Sequence, residues 1–340
     1  MMSAVFSLTL SVALAQQPAA PPINPAQARP DQTLGGLDGP GFAIAASDEA
    51  GILAAACEGH TIHYWTKDVM LGVRSGDRTP HVLKGHQAPI LALTWAGRIL
   101  ASAAADQKVL LWDMPAGKVV RALTDAGTVR ALAASPDGKL LAGGGDAGVV
   151  QTWDVATGQS KAKLAAHSDW VLSLAFSPDG KLLASGGYDG AVRLWEVASG
   201  KKLLDIAADP LPPANTPPGP VNVVLALAFS ADSKTLAISG TSAQIHMFNA
   251  ADGKLIRSIP GHTGSVTALA FHPGGTLLVS ASKDRTVRLW NPTNGQPYKS
   301  LEGHTAWVQG VAFLAQGTRL ASVSADGTVR LWDLTEPPKK

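Results

Sequence analysis

The chain has 340 residues, a length that fits about two ordinary domains or one large array of repeats. Apolar residues make up 46% of it and charged residues only 16%, which excludes a disordered chain. The net charge of +2 provides no basic field for nucleic acid, and the single cysteine, Cys57, excludes an internal disulfide and a cysteine-cluster metal site. The 35 glycines and 23 prolines predict short elements joined by many turns.

The N-terminal residues have the pattern of a secretory leader. An apolar run over residues 3–14 is too short to span a bilayer, and Ala13-Leu14-Ala15 fits a signal-peptidase site. We therefore predict a signal peptide at residues 1–15, although no lysine or arginine precedes the run. Cleavage would make the protein periplasmic or secreted, and without cleavage we expect a cytoplasmic protein. Residues 16–31 are rich in proline and alanine and predict an extended linker.

The rest of the chain repeats at intervals near 42 residues. The fourth, sixth and seventh repeats end in two apolar residues that flank a variable one, followed by a tryptophan, and the chain is aligned on that aromatic ring. The rings stand at Trp65, Trp112, Trp153, Trp195, Phe248, Trp290 and Trp332. Their spacings are 47, 41, 42, 53, 42 and 42 residues, and three spacings of the same length are hard to reach by chance. The pattern indicates seven similar units.

The fourth unit shows the structure expected of one repeat. Four short apolar or alternating runs predict strands at residues 171–176, 181–185, 191–197 and 201–206. The Ser-Pro-Asp-Gly sequence at residues 177–180 predicts the first turn between them. Four such strands form one small antiparallel sheet, which cannot bury both of its faces alone. Seven sheets stacked radially predict an all-β fold, a seven-bladed β-propeller.

Short motifs within the repeats resemble a known family. Gly85-His86, Gly261-His262 and Gly303-His304, with the later pairs Trp112-Asp113 and Trp332-Asp333, resemble the WD-repeat family. The resemblance covers residues 32–334 and leaves residues 335–340 as a tail. It implies that a complete unit holds a structural tetrad of His, Ser, Asp and Trp. The complete sets are His86, Ser102, Asp106 and Trp112; His167, Ser185, Asp189 and Trp195; His262, Ser280, Asp284 and Trp290; and His304, Ser322, Asp326 and Trp332.

Three units depart from this pattern. The first keeps only Trp65, and the fifth has Pro220 in place of the histidine and Phe248 in place of the tryptophan. The third keeps Asp146 and Trp153, but Asp125 stands at its His position and Ala142 at its Ser position.

The end of the chain predicts how the ring closes. The last unit stops after its third strand, so its sheet lacks the outermost strand. Residues 32–34, Gln-Thr-Leu, stand where a strand would precede the first unit. We predict that they complete the seventh sheet, because an open ring would carry an unpaired edge.

The recurring Ser, His and Asp side chains also raise the possibility of a nucleophilic triad. The same set occurs in four units, however, whereas a catalytic set is normally built once. A buried histidine needs partners for both ring nitrogens, and a buried indole N–H needs an acceptor, so we interpret the sets as structural. His60 and His63 would point to opposite faces of a strand. We therefore predict no metal site and no cofactor.

The resemblance implies a ligand face formed by the turns between strands two and three and between successive units. Our candidate residues for partner binding on that face are Trp170, Tyr188, Lys283, Trp307, Thr128 and Arg130. Aromatic and basic side chains are typical anchors of interfaces, although a tryptophan at this repeat position is also a common packing choice. We expect a proline-rich loop at residues 209–220 on the same face, either as the rim of a site or as a tolerated insertion.

The sequence thus favours a non-catalytic scaffold that binds a protein or peptide partner. We expect a monomeric propeller within a larger complex, without a nucleic-acid partner or a transmembrane span. The alternative is a small-ligand or enzymatic propeller with its site at the mouth of the central channel. Against it, the strands expected to line the channel are small and apolar, and only Arg130 breaks that pattern.

Overall fold

The structure is a computed structural model that describes residues 22–73, 78–123, 127–208 and 221–335. The predicted leader at residues 1–15 lies outside the described residues, as do residues 16–21 of the predicted linker. The same holds for the proline-rich loop at residues 209–220, for Asp125 and for residues 336–340.

Within the described residues, 28 strands form seven four-stranded antiparallel sheets, which we number as blades in chain order. Blades 1 to 3 consist of β2 Gly41–Ser47, β3 Ile52–Cys57, β4 Thr61–Thr66 and β5 His81–Lys84; β6 Ile90–Ala96, β7 Ile99–Ala104, β8 Val109–Asp113 and β9 Lys118–Leu123; and β10 Val129–Ala134, β11 Leu140–Gly145, β12 Val149–Asp154 and β13 Ser160–Ala165. Blades 4 and 5 consist of β14 Val171–Phe176, β15 Leu182–Gly187, β16 Ala191–Glu196 and β17 Lys202–Ala207; and β18 Val224–Phe229, β19 Thr235–Gly240, β20 Ile245–Asn249 and β21 Leu255–Ile259. Blades 6 and 7 consist of β22 Val266–Phe271, β23 Leu278–Ser282, β24 Val287–Trp290 and β25 Pro297–Leu301; and β26 Val308–Leu314, β27 Arg319–Ser324, β28 Val329–Asp333 and β1 Arg29–Leu34.

The blades form a closed ring. The first strand of each blade is innermost and contacts the first strand of the next blade, and β26 contacts β2 to complete the circle. The described helical turns are short: α1 at Lys67–Met70 and two 3-10 turns at Pro25–Gln27 and Ala315–Gly317. The predicted seven-bladed propeller is confirmed, and the four strands of blade 4 lie within two residues of their predicted bounds.

The hydrophobic core lies between blades. Seven clusters of buried apolar side chains occur in the described residues, one at each interface between neighbouring blades. Between blades 6 and 7, for example, Trp332 shares a cluster with Val279 and Leu289. No blade buries its faces alone, and the ring is therefore held together by packing of each sheet against its two neighbours.

Small residues on the second strands make this packing possible. In β3, Ala54, Ala55 and Ala56 are completely buried, and the corresponding strand of blade 3 ends in three glycines. These strands lie between two neighbouring sheets, where large side chains on both faces would push the blades apart.

The N-terminal strand closes the ring as predicted. In β1, Gln32 lies opposite Leu331 of β28 and Leu34 lies opposite Val329, and the pairing is antiparallel. The strand begins at Arg29, so residues 29–31 belong to blade 7 and not to the linker to which the sequence analysis assigns them.

Ion pairs reinforce this closure. Asp31 pairs with Arg319 of β27, and Asp31 lies at a register shift that leaves it outside the regular ladder. Arg29 pairs with Asp333 of β28 across the same junction. An isolated bridge between Ile23 and Thr335 continues the pairing beyond the strand. The first and last described segments are thus held side by side.

Candidate functional site

The four predicted tetrads form continuous hydrogen-bond networks. In blade 2, Nδ1 of His86 lies 2.9 Å from a carboxylate oxygen of Asp106, and Nε2 lies 2.7 Å from Oγ of Ser102. Trp112 donates its indole N–H to the same Ser102 oxygen over 2.8 Å. The same arrangement recurs in blades 4, 6 and 7. In each of the four blades the structure therefore brings the predicted side chains together.

The hydrogen bonds fix the protonation of these histidines. An ionised carboxylate can only accept hydrogen bonds, so the bond between histidine and aspartate must be donated by Nδ1 of the ring, and Nε2 of the neutral ring accepts the serine hydrogen. The proton of the neutral ring is then on Nδ1 and is donated to the aspartate. Burial lowers the pKa of His86, His167, His262 and His304 more strongly than the neighbouring carboxylates raise it. The neutral form is therefore favoured.

The serine of each tetrad is unsuited to nucleophilic attack. Ser102, Ser185, Ser280 and Ser322 are all completely buried, and each hydroxyl is engaged by both the histidine and the tryptophan. A substrate cannot reach an oxygen that is enclosed between two sheets. The networks satisfy buried polar groups within each blade.

Blade 3 differs from the sequence analysis in the positions of Asp146 and Ala142. The strand register places Asp146 at the position of Tyr188 in blade 4, one residue before the tetrad aspartate. The serine position is held by Gly143, not by Ala142, because Gly143 lies opposite Gln151 as Ser185 lies opposite Arg193. A Cβ atom on Gly143 would lie 2.9 Å from the Trp153 ring. In this blade the indole therefore takes the space that a serine side chain would need, and no tetrad forms.

Blade 1 contains a polar network that the sequence analysis missed. Oγ1 of Thr61 lies 2.9 Å from Nε2 of His63 and 3.4 Å from Sγ of Cys57, and it donates to Asp38 over 3.2 Å. Burial would raise the pKa of the Cys57 thiol, but hydrogen bonds from His63 and Thr61 outweigh it and lower the pKa to about 7. Cys57 is completely buried, and we interpret the network as internal to the blade.

Three positions in each blade lie at one face of the ring, which we call the loop face. They are the residue before the innermost strand, the second residue of that strand and the residue after the second strand. The inner strand is bulged at its second residue in all seven blades, at Phe42, Leu91, Arg130, Leu172, Leu225, Thr267 and Gln309. The residue after the second strand always donates its backbone N–H to the residue before the first, as Tyr188 does to Trp170 and Lys283 does to Ser265. All candidate binding residues occupy these positions.

Three of the candidates form one group, which we call the Trp170 cluster: Arg130, Trp170 and Tyr188. The Trp170 and Tyr188 rings meet edge to face with 5.7 Å between centroids. The Arg130 guanidinium lies 4.1 Å from the centroid of the Trp170 ring and pairs with Asp146. Both rings remain accessible, with Trp170 39% and Tyr188 48% exposed. The group spans blades 3 and 4.

Two further candidates form a second group, which we call the Trp307 pair. Nζ of Lys283, in blade 6, lies 4.6 Å from the centroid of the Trp307 ring in blade 7. Trp307 is 51% exposed. Thr128 belongs to neither group by side-chain contact; its backbone carbonyl accepts the N–H of Asp146 and so supports the turn that holds the partner of Arg130.

Among the described residues, no charged side chain lines the central channel. It encloses about 260 Å³ and is lined by the inner strands, with the bulged residues Phe42, Leu91, Leu172, Leu225, Thr267 and Gln309 among them. Arg130 is the bulged residue that does not line it, because its side chain is directed to Asp146 and Trp170. The charge of Arg130, the one exception in the apolar strands of the channel, therefore lies beside Trp170 and Asp146.

Comparison with known proteins identifies the family. The model of the WD domain, G-beta repeat, matches residues 78–113, 117–154, 158–196, 253–291 and 295–333, which is more than half of the chain. The chain belongs to the WD-repeat family. Each matched segment runs from the outermost strand of one blade to the third strand of the next, so every WD repeat joins two blades. The third strands of blades 1 and 5, which lack the tetrad, lie outside the matched segments.

Several WD-repeat and other proteins resemble parts of the chain. Autophagy-related protein 16 of Arabidopsis thaliana is 30% identical over 29% of this chain and 20% of its own length. Nuclear distribution protein PAC1 of Coccidioides posadasii is 34% identical over 21% of this chain and 16% of its own. WD repeat-containing protein SL1-17 of Schistosoma mansoni is 29% identical over 51% of this chain and 54% of its own. The chain therefore spans at most about half the length of these relatives.

The described residues add two observations about other kinds of site. None of their helices is long and apolar enough to cross a membrane. In the same part of the chain, no group of three or more His, Cys, Asp or Glu side chains is arranged to hold a metal ion.

Proposed function

We propose that this WD-repeat propeller is a non-catalytic scaffold that binds a protein or peptide partner on the loop face. The observation that carries the proposal is the exposure of Trp170, Tyr188 and Trp307 on one face of a rigid ring. Large aromatic side chains that remain accessible at fixed positions are the residues that dominate binding energy in protein interfaces.

The two aromatic groups are also held in place before any partner arrives. Trp170 packs against Tyr188 and Arg130, and Trp307 packs against Lys283. The loops that carry them are fixed by backbone hydrogen bonds of 2.8 to 3.2 Å at the equivalent positions of all seven blades. A partner that docks here loses little free energy to ordering of the propeller side, because these side chains already have few rotamers to lose.

Affinity capture of partners from the native source tests the proposal. The tagged protein, the double variant Trp170→Ala with Trp307→Ala, and the control variant Tyr298→Ala are compared. Tyr298 is 38% exposed on the outer strand β25, away from the loop face, so it matches the exposure of the removed tryptophans. We expect a co-purifying protein to be retained by the control and lost by the double variant. Equal capture by all three proteins would remove the loop-face tryptophans from the binding site.

We also propose that the protein acts in the periplasm or outside the cell after removal of residues 1–15. The support is the apolar run that ends at Ala13-Leu14-Ala15. Intact mass measurement of the protein from its native source tests this, with Gln16 expected as the first residue. A mass that includes residues 1–15 in a cytoplasmic fraction would contradict it.

A further inference from the structure

The two aromatic groups of the loop face differ in charge. In the Trp170 cluster, the positive charge of Arg130 is balanced by Asp146. In the Trp307 pair, Lys283 lies over the indole ring, and within the part of the chain that the structure describes it forms no ion pair. The Trp307 pair therefore presents an unbalanced positive charge beside an exposed aromatic ring.

The tetrad aspartates of blades 6 and 7 are turned inward. Asp284 follows Lys283 directly, but its carboxylate accepts hydrogen bonds from His262, Thr263 and Thr286, and its side chain is only 6% exposed. Asp326, in the blade of Trp307, is bound in the same way within its own tetrad and is 8% exposed. Their oxygens are occupied and buried, so neither aspartate can pair with the Lys283 ammonium.

A second positive charge stands two residues further along the same turn. Arg285 is exposed and has a φ of 74°, a left-handed conformation that favours glycine. At the same turn position, blades 4 and 7 have Gly190 and Gly327. Gly148 of blade 3 stands there as well, so blade 6 carries an arginine where three other blades have the residue that the backbone prefers, and this adds a positive charge two residues after Lys283.

We infer that the Trp307 pair binds a carboxylate of the partner, supplied by an aspartate or glutamate side chain in the segment that docks on the loop face. The inference rests on the proposed function and names the chemistry of the partner. The ammonium of Lys283 pairs with the carboxylate, and the methylene groups of the same side chain pack against the indole of Trp307. The neutral Trp170 cluster, beside the apolar residues Leu172 and Leu225 of the channel mouth, takes an apolar side chain of the same segment.

Selection of peptides from a phage-displayed library of random dodecapeptides on the purified protein tests the inference. We expect the selected peptides to be rich in aspartate or glutamate and to include an apolar residue. Synthetic versions of these peptides should bind Lys283→Glu at least about tenfold more weakly and bind Lys283→Arg nearly as well as the original protein. The Lys283→Glu variant should in turn bind the same peptides with lysine in place of the acidic residue.

Glu58→Gln provides the matched control for charge. Glu58 occupies in blade 1 the loop-face position that Lys283 occupies in blade 6, and it is exposed. Removal of its negative charge should leave binding of an acidic peptide unchanged or stronger. Thermal melting of all variants verifies that each one folds.

The outcomes separate this inference from the proposed function. Two results would overturn the inference and leave the proposed function standing. In the first, the peptides lose binding in Trp170→Ala but show no preference for acidic residues. In the second, they lose binding in Trp170→Ala but bind Lys283→Glu as well as the original protein. Failure to select any peptide whose binding depends on Trp170 or Trp307 would count against both.

Discussion

The hydroxyl of Ser322 accepts a hydrogen bond from the indole N–H of Trp332 over 3.0 Å. The same hydroxyl lies 2.8 Å from Nε2 of His304. Ser322 is completely buried, so water cannot take its place. One side-chain oxygen thus satisfies two buried groups, and it connects the second strand of blade 7 with the third strand and with the loop before the first.

Replacement of Ser322 by alanine should therefore be costly. The variant leaves both the Trp332 N–H and the His304 nitrogen without a partner, and we expect a loss of about 3 kcal/mol in the free energy of unfolding. Urea unfolding measures the loss. The control is Ser199→Ala, in an exposed turn where the hydroxyl donates to Glu196, and it should change the free energy by less than about 0.5 kcal/mol. Equal effects of the two variants would show that the tetrad contributes no more than a surface hydrogen bond.

Removal of residues 1–36 should destabilise the ring. The deletion removes β1, exposes the edge of β28 and leaves Arg319 and Asp333 without their partners. We expect the melting temperature to fall by about 5 °C or more. Removal of residues 1–21 alone is the control and should leave the melting temperature unchanged, because β1 begins at Arg29. An unchanged melting temperature in the longer deletion would mean that the closure by β1 does not stabilise the propeller.

Much of this fold could be predicted because its signals are local. The spacing of the aromatic rings predicts the blade count, and the tetrads are recognisable because four polar or aromatic side chains recur at constant distances along the chain. The closing strand could be predicted from the missing fourth strand of the last unit, since an unpaired edge is unfavourable. Its start at Arg29 could not, because Pro30 and Asp31 do not read as a strand, and Arg29 and Asp31 are held by ion pairs with residues from the other end of the chain.

The errors in blade 3 have a physical reason. Asp146 is the only acidic residue in its turn, so the sequence pattern assigns it to the tetrad, although strand pairing places it one residue earlier. Its partner, Arg130, comes from a bulge whose direction the sequence pattern does not show. The contact of Arg130 with Trp170 joins two blades and depends on the ring being closed. Contacts between repeats are not encoded in the pattern within one repeat.

The turn of blade 6 should become more stable when its arginine is replaced by glycine. Arg285 has a φ of 74°, and glycine adopts this conformation without the steric cost of a Cβ atom. We expect Arg285→Gly to raise the free energy of unfolding by about 0.5 to 1 kcal/mol in urea titrations. The reciprocal variant Gly327→Ala, at the same position of blade 7 with a φ of 76°, should lower it by a similar amount. A decrease for Arg285→Gly would show that the arginine side chain stabilises the turn.

The buried histidines should make the protein less stable in mild acid. Burial lowers the pKa of all four tetrad histidines below 6.5, so below that pH the unfolded chain binds protons that the folded one excludes. The stability that they contribute is complete above pH 6.5 and is lost as the pH falls below it. Each histidine adds up to about 1.4 kcal/mol per pH unit to the slope.

Aspartates extend the same trend to lower pH. Burial would raise the pKa of Asp284, but hydrogen bonds from Thr286 and His262 outweigh it and lower the pKa from 3.8 to about 2. The stability that this carboxylate contributes is complete above 3.8 and is lost as the pH falls toward 2. Urea unfolding at about pH 7.5, 6.5 and 5.5 isolates the histidine window, because the aspartates stay ionised there. His304→Gln should give a shallower slope than the original protein, since one titrating group is gone. A flat profile across these three pH values would contradict the neutral, buried state that the hydrogen bonds assign to the tetrad histidines.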